Sequence, residues 1–336
     1  MADPAAFVPF DPEGGLVFAT ALPGGPGDFA ERRRSWDALG SLPGAALWVH
    51  LDRTRQRAQA WLRTESGVAE PVVDALLAED TRPVAVAIED GLLVILRGVD
   101  MNPGAEPDEL ISIRMWFQPG RAITLRQYRF QTVAQLRAAA QRGEAPRSVG
   151  ELLAAIAEGL SERMNPSVEN LESMLDEIEQ RMLDGPDDDP QMRTQLASIR
   201  RQAITLRRYL VPQRDALLHL SLLTCPLLTE RDRVELRVSA DRVARVAEAL
   251  EELRDRAAVT HEELRARHEA RMGRTLYLLT IVATIALPMG IITGLLGINV
   301  GGVPMANSPA GFAVVCLALV ALAAVELALF RALRWI

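Results

Sequence analysis

The sequence predicts an α+β domain followed by a long stalk helix and by a C-terminal hairpin of two transmembrane helices. Two observations predict the hairpin: residues 275–296 contain no charged side chain, and residues 311–330 contain one, Glu326. At a rise of ~1.5 Å per residue, each run is long enough to cross a hydrocarbon core of about 30 Å. A third observation predicts the stalk, because an uninterrupted helical pattern runs from residue 230 into the first apolar run.

Composition and motifs narrow the function classes. The chain of 336 residues is long enough for one sizeable soluble domain plus further helices, and its net charge of -7 argues against nucleic acid as a partner. Cys225 and Cys316 lie far apart in unlike settings, which predicts neither a disulfide nor a metal motif and fits a reducing compartment. No Gly-rich phosphate loop, nucleophile elbow or paired-histidine motif occurs, so the sequence predicts neither an enzyme nor a covalent cofactor. The N-terminal residues do not resemble a signal peptide.

The N-terminal part of the chain is predicted to be a mixed α/β domain. Short runs of β-branched and aromatic residues, bounded by turn residues, predict strands. Asp90–Gly91 and Pro119–Gly120 predict tight turns between successive strands. The predicted strands are 15–22, 46–52, 83–89, 92–98, 110–117 and 122–127, and the predicted helices are 54–64, 69–79 and 131–142.

From Ser148 onwards the sequence is predicted to be helical. The first helix breaks at Asn165–Pro166, because a residue before proline avoids the helical region. Thr229 and Asp232 form a capping-box pattern that begins the long helix. A heptad stripe on this helix predicts packing against other helices, either of the same chain or of further copies. The predicted helices are 149–183, 191–222 and 230–296; the stripe is Leu236, Ser239, Val243, Val246, Leu250, Leu253, Ala257, Thr260 and Leu264; the predicted domains are 1–147, 148–274 and 275–336.

Two groups of polar residues outside the apolar runs are candidate metal sensors. Asp187, Asp188 and Asp189 lie in an acidic turn, which either attracts cations or is a solvated connection between helices. His261 and His268 lie one heptad apart beside the apolar stripe, and they either sense pH or zinc or are solvated or interface residues. The sequence leaves these alternatives open.

Arginines flank the two predicted spans on one side of the membrane. Four precede the first span, two follow the second, and the connecting loop carries no charge. The positive-inside rule therefore places both termini in the cytoplasm and only the loop outside. The arginines are Arg265, Arg267, Arg271, Arg274, Arg331 and Arg334.

Two spans per chain cannot enclose a pore, so a transport function requires an oligomer. One face of the first span has near-heptad spacing, with bulky apolar residues in its cytoplasmic half and glycines in its outer half. The apolar half is suited to gating by dewetting, and the glycines widen the lumen. The alternative is that Gly290 and Gly294 only let helices pack closely. The predicted pore-lining residues are Leu276, Leu279, Ala283, Leu287, Gly290 and Gly294.

Gly297, Ile298 and Asn299 end the first span with backbone carbonyl groups and a side-chain amide. These hard oxygen ligands suit a divalent cation that is bound through its water shell. Residues 275–310 contain no His, Cys, Asp or Glu, which excludes a high-affinity zinc cage there. The sequence therefore predicts a selectivity filter at these three residues.

A long helix, a span ending in Gly-x-Asn, a short loop, a second span and a basic tail together resemble the CorA family of divalent-cation transporters. The family motif is Gly-Met-Asn, and this chain has Gly297–Ile298–Asn299. Residues 297–304 are closer to the ZntB branch of zinc transporters, and Val303–Pro304–Met305–Ala306 replaces the acidic run that is usual in magnesium channels. The resemblance implies a homopentamer with a funnel-shaped cytoplasmic domain in a bacterial inner membrane. It also implies a pore lined by the first span, a filter at Gly297–Asn299, and zinc transport, either with or without coupling to protons.

Zinc transport through an oligomeric pore is the leading hypothesis. Hard oxygen ligands favour magnesium instead, so a Mg²⁺ or Co²⁺ channel of the same architecture is the first alternative, with Ni²⁺ and Cd²⁺ as further candidate cargo. The alternative from another class is a non-conducting, membrane-anchored coiled-coil scaffold or sensor. The expected partners are copies of the chain itself, the lipid bilayer and divalent cations.

Overall fold

The structure, a computed structural model, describes residues 13–22, 36, 39, 46–105, 109–144, 146–184, 190–298 and 308–333. Two compact units are present, Met1–His261 and Glu262–Ile336, and each is described by itself. The first contains a mixed sheet with helices, and the second contains the end of a long helix and a C-terminal apolar helix. The α+β fold class, the long helix and the apolar C-terminal helix are therefore as predicted.

Six strands form one sheet in the first unit. The strands are β1 (Leu16–Leu22), β2 (Ala46–Asp52), β3 (Val84–Ile88), β4 (Gly91–Val99), β5 (Leu110–Gln118) and β6 (Arg121–Arg126). Their order in the sheet is β1-β2-β6-β5-β4-β3, and the pairing of β2 with β6 is parallel whereas the other pairings are antiparallel. Each strand bound agrees with its prediction to within one residue.

The tight turn between β3 and β4 is confirmed, but its residues differ from the prediction. Glu89 and Asp90 form the turn, and Glu89 adopts a φ of 53°. Gly91 is already the first residue of β4, where a Cβ atom would overlap the ring of Trp116. The glycine is therefore needed for the close approach of a tryptophan from the neighbouring strand and not for the turn itself. The second predicted turn is as expected, with Gly120 at a φ of 75°.

The described residues outside the sheet include eight helices. They are α1 (Gln56–Thr64), α2 (Glu70–Leu77), α3 (Gln131–Gln141), α4 (Val149–Glu162), α5 (Asn165–Asp184), α6 (Pro190–Leu222), α7 (Glu230–Leu296) and α8 (Gly311–Ala332). A break is present, but it lies two residues before the predicted one, at Arg163–Met164, because α4 ends at Glu162 and α5 begins at Asn165. Pro166 is tolerated in the first turn of α5, where its missing N–H would have no partner within the helix.

Buried arginines fasten α1 and α2 to one face of the sheet. Arg114 of β5 donates hydrogen bonds to the carbonyl oxygen atoms of Leu76, at 2.9 Å, and of Glu79, at 3.2 Å, where α2 ends. Arg121 of β6 donates to the carbonyl oxygen of Ser66 at 2.6 Å, just after α1. Burial lowers the pKa of Arg114 to about 10, so the guanidinium is still charged at neutral pH. The two side chains supply donors to carbonyl groups in or just after the last turn of each helix, where donors from the same helix are missing.

Substitution of Arg114 with methionine is expected to destabilise the first unit. The variant leaves the buried carbonyl group of Leu76 and the partly buried one of Glu79 without this donor, at a cost of about 2 kcal/mol, which lowers the midpoint of thermal unfolding by about 5 °C. Thermal unfolding of the full chain in detergent measures the shift. Arg82→Met is the control, because Arg82 is exposed. An equal shift in both variants would contradict the structural role of Arg114.

The opposite face of the sheet is covered by α3 and α4. Arg137 of α3 lies over the ring of Phe18 in β1, 5.1 Å from its centroid. His50 on the same face is fully buried, with Nδ1 2.7 Å from Thr124 Oγ1, and burial holds its pKa well below the ordinary value. At the edge of this face, the amide of Gln213 in α6 pairs with the backbone of β4, at 2.6 and 3.0 Å from Arg97 N and O.

The predicted cap and the predicted stripe of α7 are both confirmed. The backbone N–H of Thr229 donates to Asp232 Oδ2 at 2.8 Å, and the N–H of Asp232 donates to Thr229 Oγ1 at 3.2 Å. Every stripe residue from Leu236 to Leu264 is buried within a single chain. Ion pairs join α7 to its neighbours, because Arg256 lies 2.7 Å from Asp176 and from Glu179 of α5.

Loss of the α7 cap is expected to destabilise the helical part of the first unit. Asp232→Ala removes the acceptor for two hydrogen bonds, at a cost of about 1 to 2 kcal/mol. The expected result is a lower unfolding midpoint together with faster amide hydrogen exchange at residues 229–233. Asp241→Ala is the matched control, because this aspartate only forms an exposed pair with Arg237 at 3.6 Å. Unchanged exchange in the Asp232 variant would contradict the assignment of the cap.

Candidate functional site

The predicted pore-lining face of α7 is exposed in a single chain. Leu276, Leu279 and Leu287 are exposed by 58, 64 and 67%, and Ala283, Gly290 and Gly294 are exposed as well. A Cβ atom added at Gly290 or Gly294 would have nothing within 4 Å. These six residues share one face at helical spacing, and their role in lining a pore stays a prediction.

The opposite side of the same span is partly covered. Ile281, Ile285, Pro288 and Met289 are intermediate in exposure, and they follow one another at helical spacing. In α8 the partly covered positions also form one stripe, which consists of Gly311, Val315, Leu319, Leu322, Ala323 and Glu326 and ends at the buried Phe330. The two apolar helices therefore each have one covered side, and the predicted pore face is the uncovered side of α7.

A shallow hollow lies on the uncovered side of α7. It has a volume of about 480 Å³ and is lined by Ala283, Ala286, Leu287, Gly290 and Ile291. Three of these residues, Ala283, Leu287 and Gly290, belong to the predicted pore face.

The threonine hydroxyl groups of the span donate to its own backbone. Thr280, Thr284 and Thr293 donate to the carbonyl oxygen four residues earlier at 2.8, 2.8 and 2.9 Å. At the C-terminal end, the N–H of Gly297 is shared between the carbonyl oxygens of Thr293, at 3.0 Å, and Gly294, at 3.2 Å. The last carbonyls of a helix have no intrahelical donor and lie at the negative end of its dipole, which attracts cations.

The predicted filter is described in part. Gly297 and Ile298 follow the end of α7 and are exposed, whereas Asn299 lies outside the described residues. The filter therefore stays a prediction from the sequence.

The candidate metal sensors do not form a site within the described part of one chain. His261 is exposed and His268 is partly buried, and seven residues of helix separate them by about 10 Å along the axis of α7. Among the described residues, no group of three or more His, Cys, Asp and Glu side chains is placed to hold a metal ion. Asp187, Asp188 and Asp189 lie outside the described residues, so both sensing roles stay predictions.

The arginines near the membrane fall into two groups, those with a carboxylate partner and those without one. The positive-inside prediction did not distinguish these groups. Arg265 pairs with Glu269 at 2.9 Å and Arg267 pairs with Glu263 at 2.6 Å, both one turn away on α7. Arg271, Arg274 and Arg331 have no carboxylate within ion-pair distance among residues 262–298 and 308–333. The i,i+4 spacing of the paired arginines was the readable signal for this division.

Comparison with known proteins identifies the family. Residues 44–332 match the family described as CorA-like Mg²⁺ transporter protein. The chain is 37% identical over 325 residues to the divalent cation transporter CmaX of Pseudomonas aeruginosa, which covers 96% of this chain and 98% of the relative. It is 32% identical over 275 residues to the zinc transport protein ZntB of Pectobacterium carotovorum, with 82% of this chain and 83% of the relative covered.

Solved structures agree in fold. The structure of full-length CmaX has a TM-score of 0.82 and 37% identity, and it covers 96% of this chain and 99% of that protein. The CorA magnesium transporter of Methanocaldococcus jannaschii has a TM-score of 0.73 at 21% identity, which shows the shared fold, over 87% of this chain and 92% of that protein. The predicted resemblance is confirmed: the chain belongs to the CorA family of divalent-cation transporters.

Proposed function

We propose that this chain assembles as a homopentamer in the bacterial inner membrane and transports divalent cations, zinc first, through a pore lined by the α7 span. Both termini and the funnel-shaped domain lie in the cytoplasm. The observation that carries the proposal is the uncovered α7 face with the hollow at Gly290, which turns away from the covered side of the span.

In the proposed mechanism the ion keeps its water shell. Asn299 and the carbonyl groups at the end of α7 capture the hydrated cation at the outer mouth. The ion then passes the section with Gly294 and Gly290, where the absence of side chains leaves the lumen wide. It crosses the apolar constriction between Leu287 and Leu279, which conducts when wet and blocks when dry.

Zinc is placed first because residues 297–304 resemble the ZntB branch and because the chain is 32% identical to a ZntB protein over 275 residues. Magnesium is the second candidate, and two observations favour it. The described part of the span, 275–298, has no nitrogen or sulfur ligand that is typical of zinc sites, and the matching family is described as a Mg²⁺ transporter.

Ion-by-ion flux in proteoliposomes tests the proposal. The purified full chain is reconstituted, and uptake of Zn²⁺, Mg²⁺, Co²⁺, Ni²⁺ and Cd²⁺ is measured with and without a pH gradient. Zinc uptake above that of protein-free liposomes, and above magnesium uptake in competition, is expected. Faster magnesium uptake would favour the second candidate. An absence of flux for every ion, with the oligomer intact, would contradict transport and favour a scaffold or sensor.

A further inference from the structure

Within residues 262–298, two arginines without carboxylate partners mark the cytoplasmic boundary of the apolar part of α7. Arg271 and Arg274 are exposed and directly precede the apolar run that begins at Thr275. Between Glu269 and Glu326 the sequence contains no acidic residue, and Glu269 pairs with Arg265 at 2.9 Å and not with Arg271 or Arg274. The two arginines therefore place a surplus of positive charge where the apolar part of α7 begins.

The same two arginines lie on the side of α7 away from the proposed pore. Arg271 lies eighteen residues before Met289, about five helical turns, and Arg274 lies eleven residues before Ile285, about three turns. Met289 and Ile285 belong to the partly covered side of the span. In contrast, the Arg265–Glu269 pair is aligned with Leu276 and Ala283 on the uncovered side. Arg271 and Arg274 therefore lie on the side of α7 away from the proposed pore, whereas the Arg265–Glu269 pair lies on the pore side.

An exposed apolar residue follows the unpaired arginines on the same side. Leu278 lies four residues after Arg274 and seven after Arg271, and its side chain is 58% exposed. A soluble anion would pair with the guanidinium groups but would leave this leucine in water. A phospholipid satisfies both features, because its phosphate accepts hydrogen bonds from the arginines and its acyl chain covers the leucine.

We propose that Arg271 and Arg274 form a binding site for the headgroups of anionic phospholipids at the cytoplasmic boundary of the membrane, on the side of α7 away from the proposed pore. A guanidinium presents a planar fork of donors that matches a phosphate, and the charge of an anionic lipid is not offset by an amine in its own headgroup. Phosphatidylglycerol is therefore bound more tightly than phosphatidylcholine. The site does not depend on cation transport.

Lipid binding to the intact protein tests this site without an activity assay. The full chain in a nonionic detergent is titrated with phosphatidylglycerol or phosphatidylcholine, and bound lipids are counted by native mass spectrometry. Each arginine is expected to contribute about fivefold to the affinity for phosphatidylglycerol, so Arg271→Gln/Arg274→Gln weakens it by about 25-fold. Arg265→Gln/Arg267→Gln is the matched control, which removes the same charge from arginines that already have partners.

The controls distinguish a lipid site from a general effect of charge and from a site for a soluble anion. If the double variant does not insert into the membrane, the single variants Arg271→Gln and Arg274→Gln replace it, because each retains the other arginines. Each single variant is expected to bind phosphatidylglycerol about fivefold more weakly than the unaltered protein. An equal loss in the control pair would overturn the site in favour of net charge. Equal binding of the two lipids to the unaltered protein would also overturn it. Displacement of phosphatidylglycerol by inorganic phosphate would show that the arginines bind a soluble anion, which would overturn the lipid site.

Discussion

Replacement of Gly290 with leucine is expected to abolish divalent-cation flux without unfolding the protein. A leucine side chain at this position extends into the hollow lined by Ala283, Ala286, Leu287 and Ile291, where nothing lies within 4 Å of the added Cβ. One chain therefore accommodates the side chain without a clash. In the proposed assembly every copy adds a leucine to the same level of the pore, which closes and dries the passage.

Flux in proteoliposomes measures the effect of Gly290→Leu, and we expect a fall of at least about tenfold, to the level of protein-free liposomes. Ala328→Leu is the matched control, because it adds the same side chain at an exposed position of the other apolar helix, α8. Size-exclusion chromatography reports whether the oligomer persists. Normal flux through an intact Gly290→Leu oligomer would show that this face of α7 does not line the pathway, and a loss in both variants would point to a general effect on the membrane unit.

Asn299→Ala is expected to abolish flux while the oligomer survives. The substitution removes the side-chain amide from the proposed filter and leaves only backbone carbonyl groups to hold the water shell of the cation. Uptake of Zn²⁺ and of Mg²⁺ by proteoliposomes measures the loss, which should be at least about tenfold for both ions because the amide acts on their common water shell.

Asn307→Ala is the control for this prediction, because it makes the same change elsewhere in the connecting loop. The proposed filter requires a much smaller effect from that variant. Normal zinc uptake by Asn299→Ala would remove the filter role from this asparagine. An equal loss in both variants would assign the effect to the loop as a whole.

Local signals were sufficient to predict the elements of the fold. The reciprocal cap of Thr229 and Asp232 lies within four residues of sequence, so the start of α7 could be predicted. The heptad stripe predicted which residues of α7 are buried. The turn at residues 89–90 was placed one residue late, because the reason for Gly91 is a tryptophan on another strand. The burial of Arg114 was not predictable either, since its acceptors belong to a helix distant in the sequence.

The candidate site stays a prediction. Helical spacing predicts one shared face for the six residues, and all six are exposed in a single chain, but their role in lining a pore is not tested by one chain. The predicted filter and the sensing roles depend on groups from several copies of the chain or on residues outside the described ranges. The spacing of residues along one chain does not predict how such groups are arranged. The division of the arginines into paired and unpaired groups was predictable from the i,i+4 spacing of Arg265 with Glu269 and of Glu263 with Arg267.

The single parallel pairing in the sheet has a consequence for the order in which the chain folds. Strands β3 to β6 pair antiparallel in succession within about 45 residues, and β1 and β2 pair with each other. Among the described strands, the pairing of β2 with β6 is the only one that joins these two pieces, and about 70 residues lie between these two strands. Because loop closure over a long separation is slow, we expect the four-stranded meander to form first and the N-terminal hairpin to dock last. A nascent chain would thus hold β2 as an open edge until synthesis has passed β6.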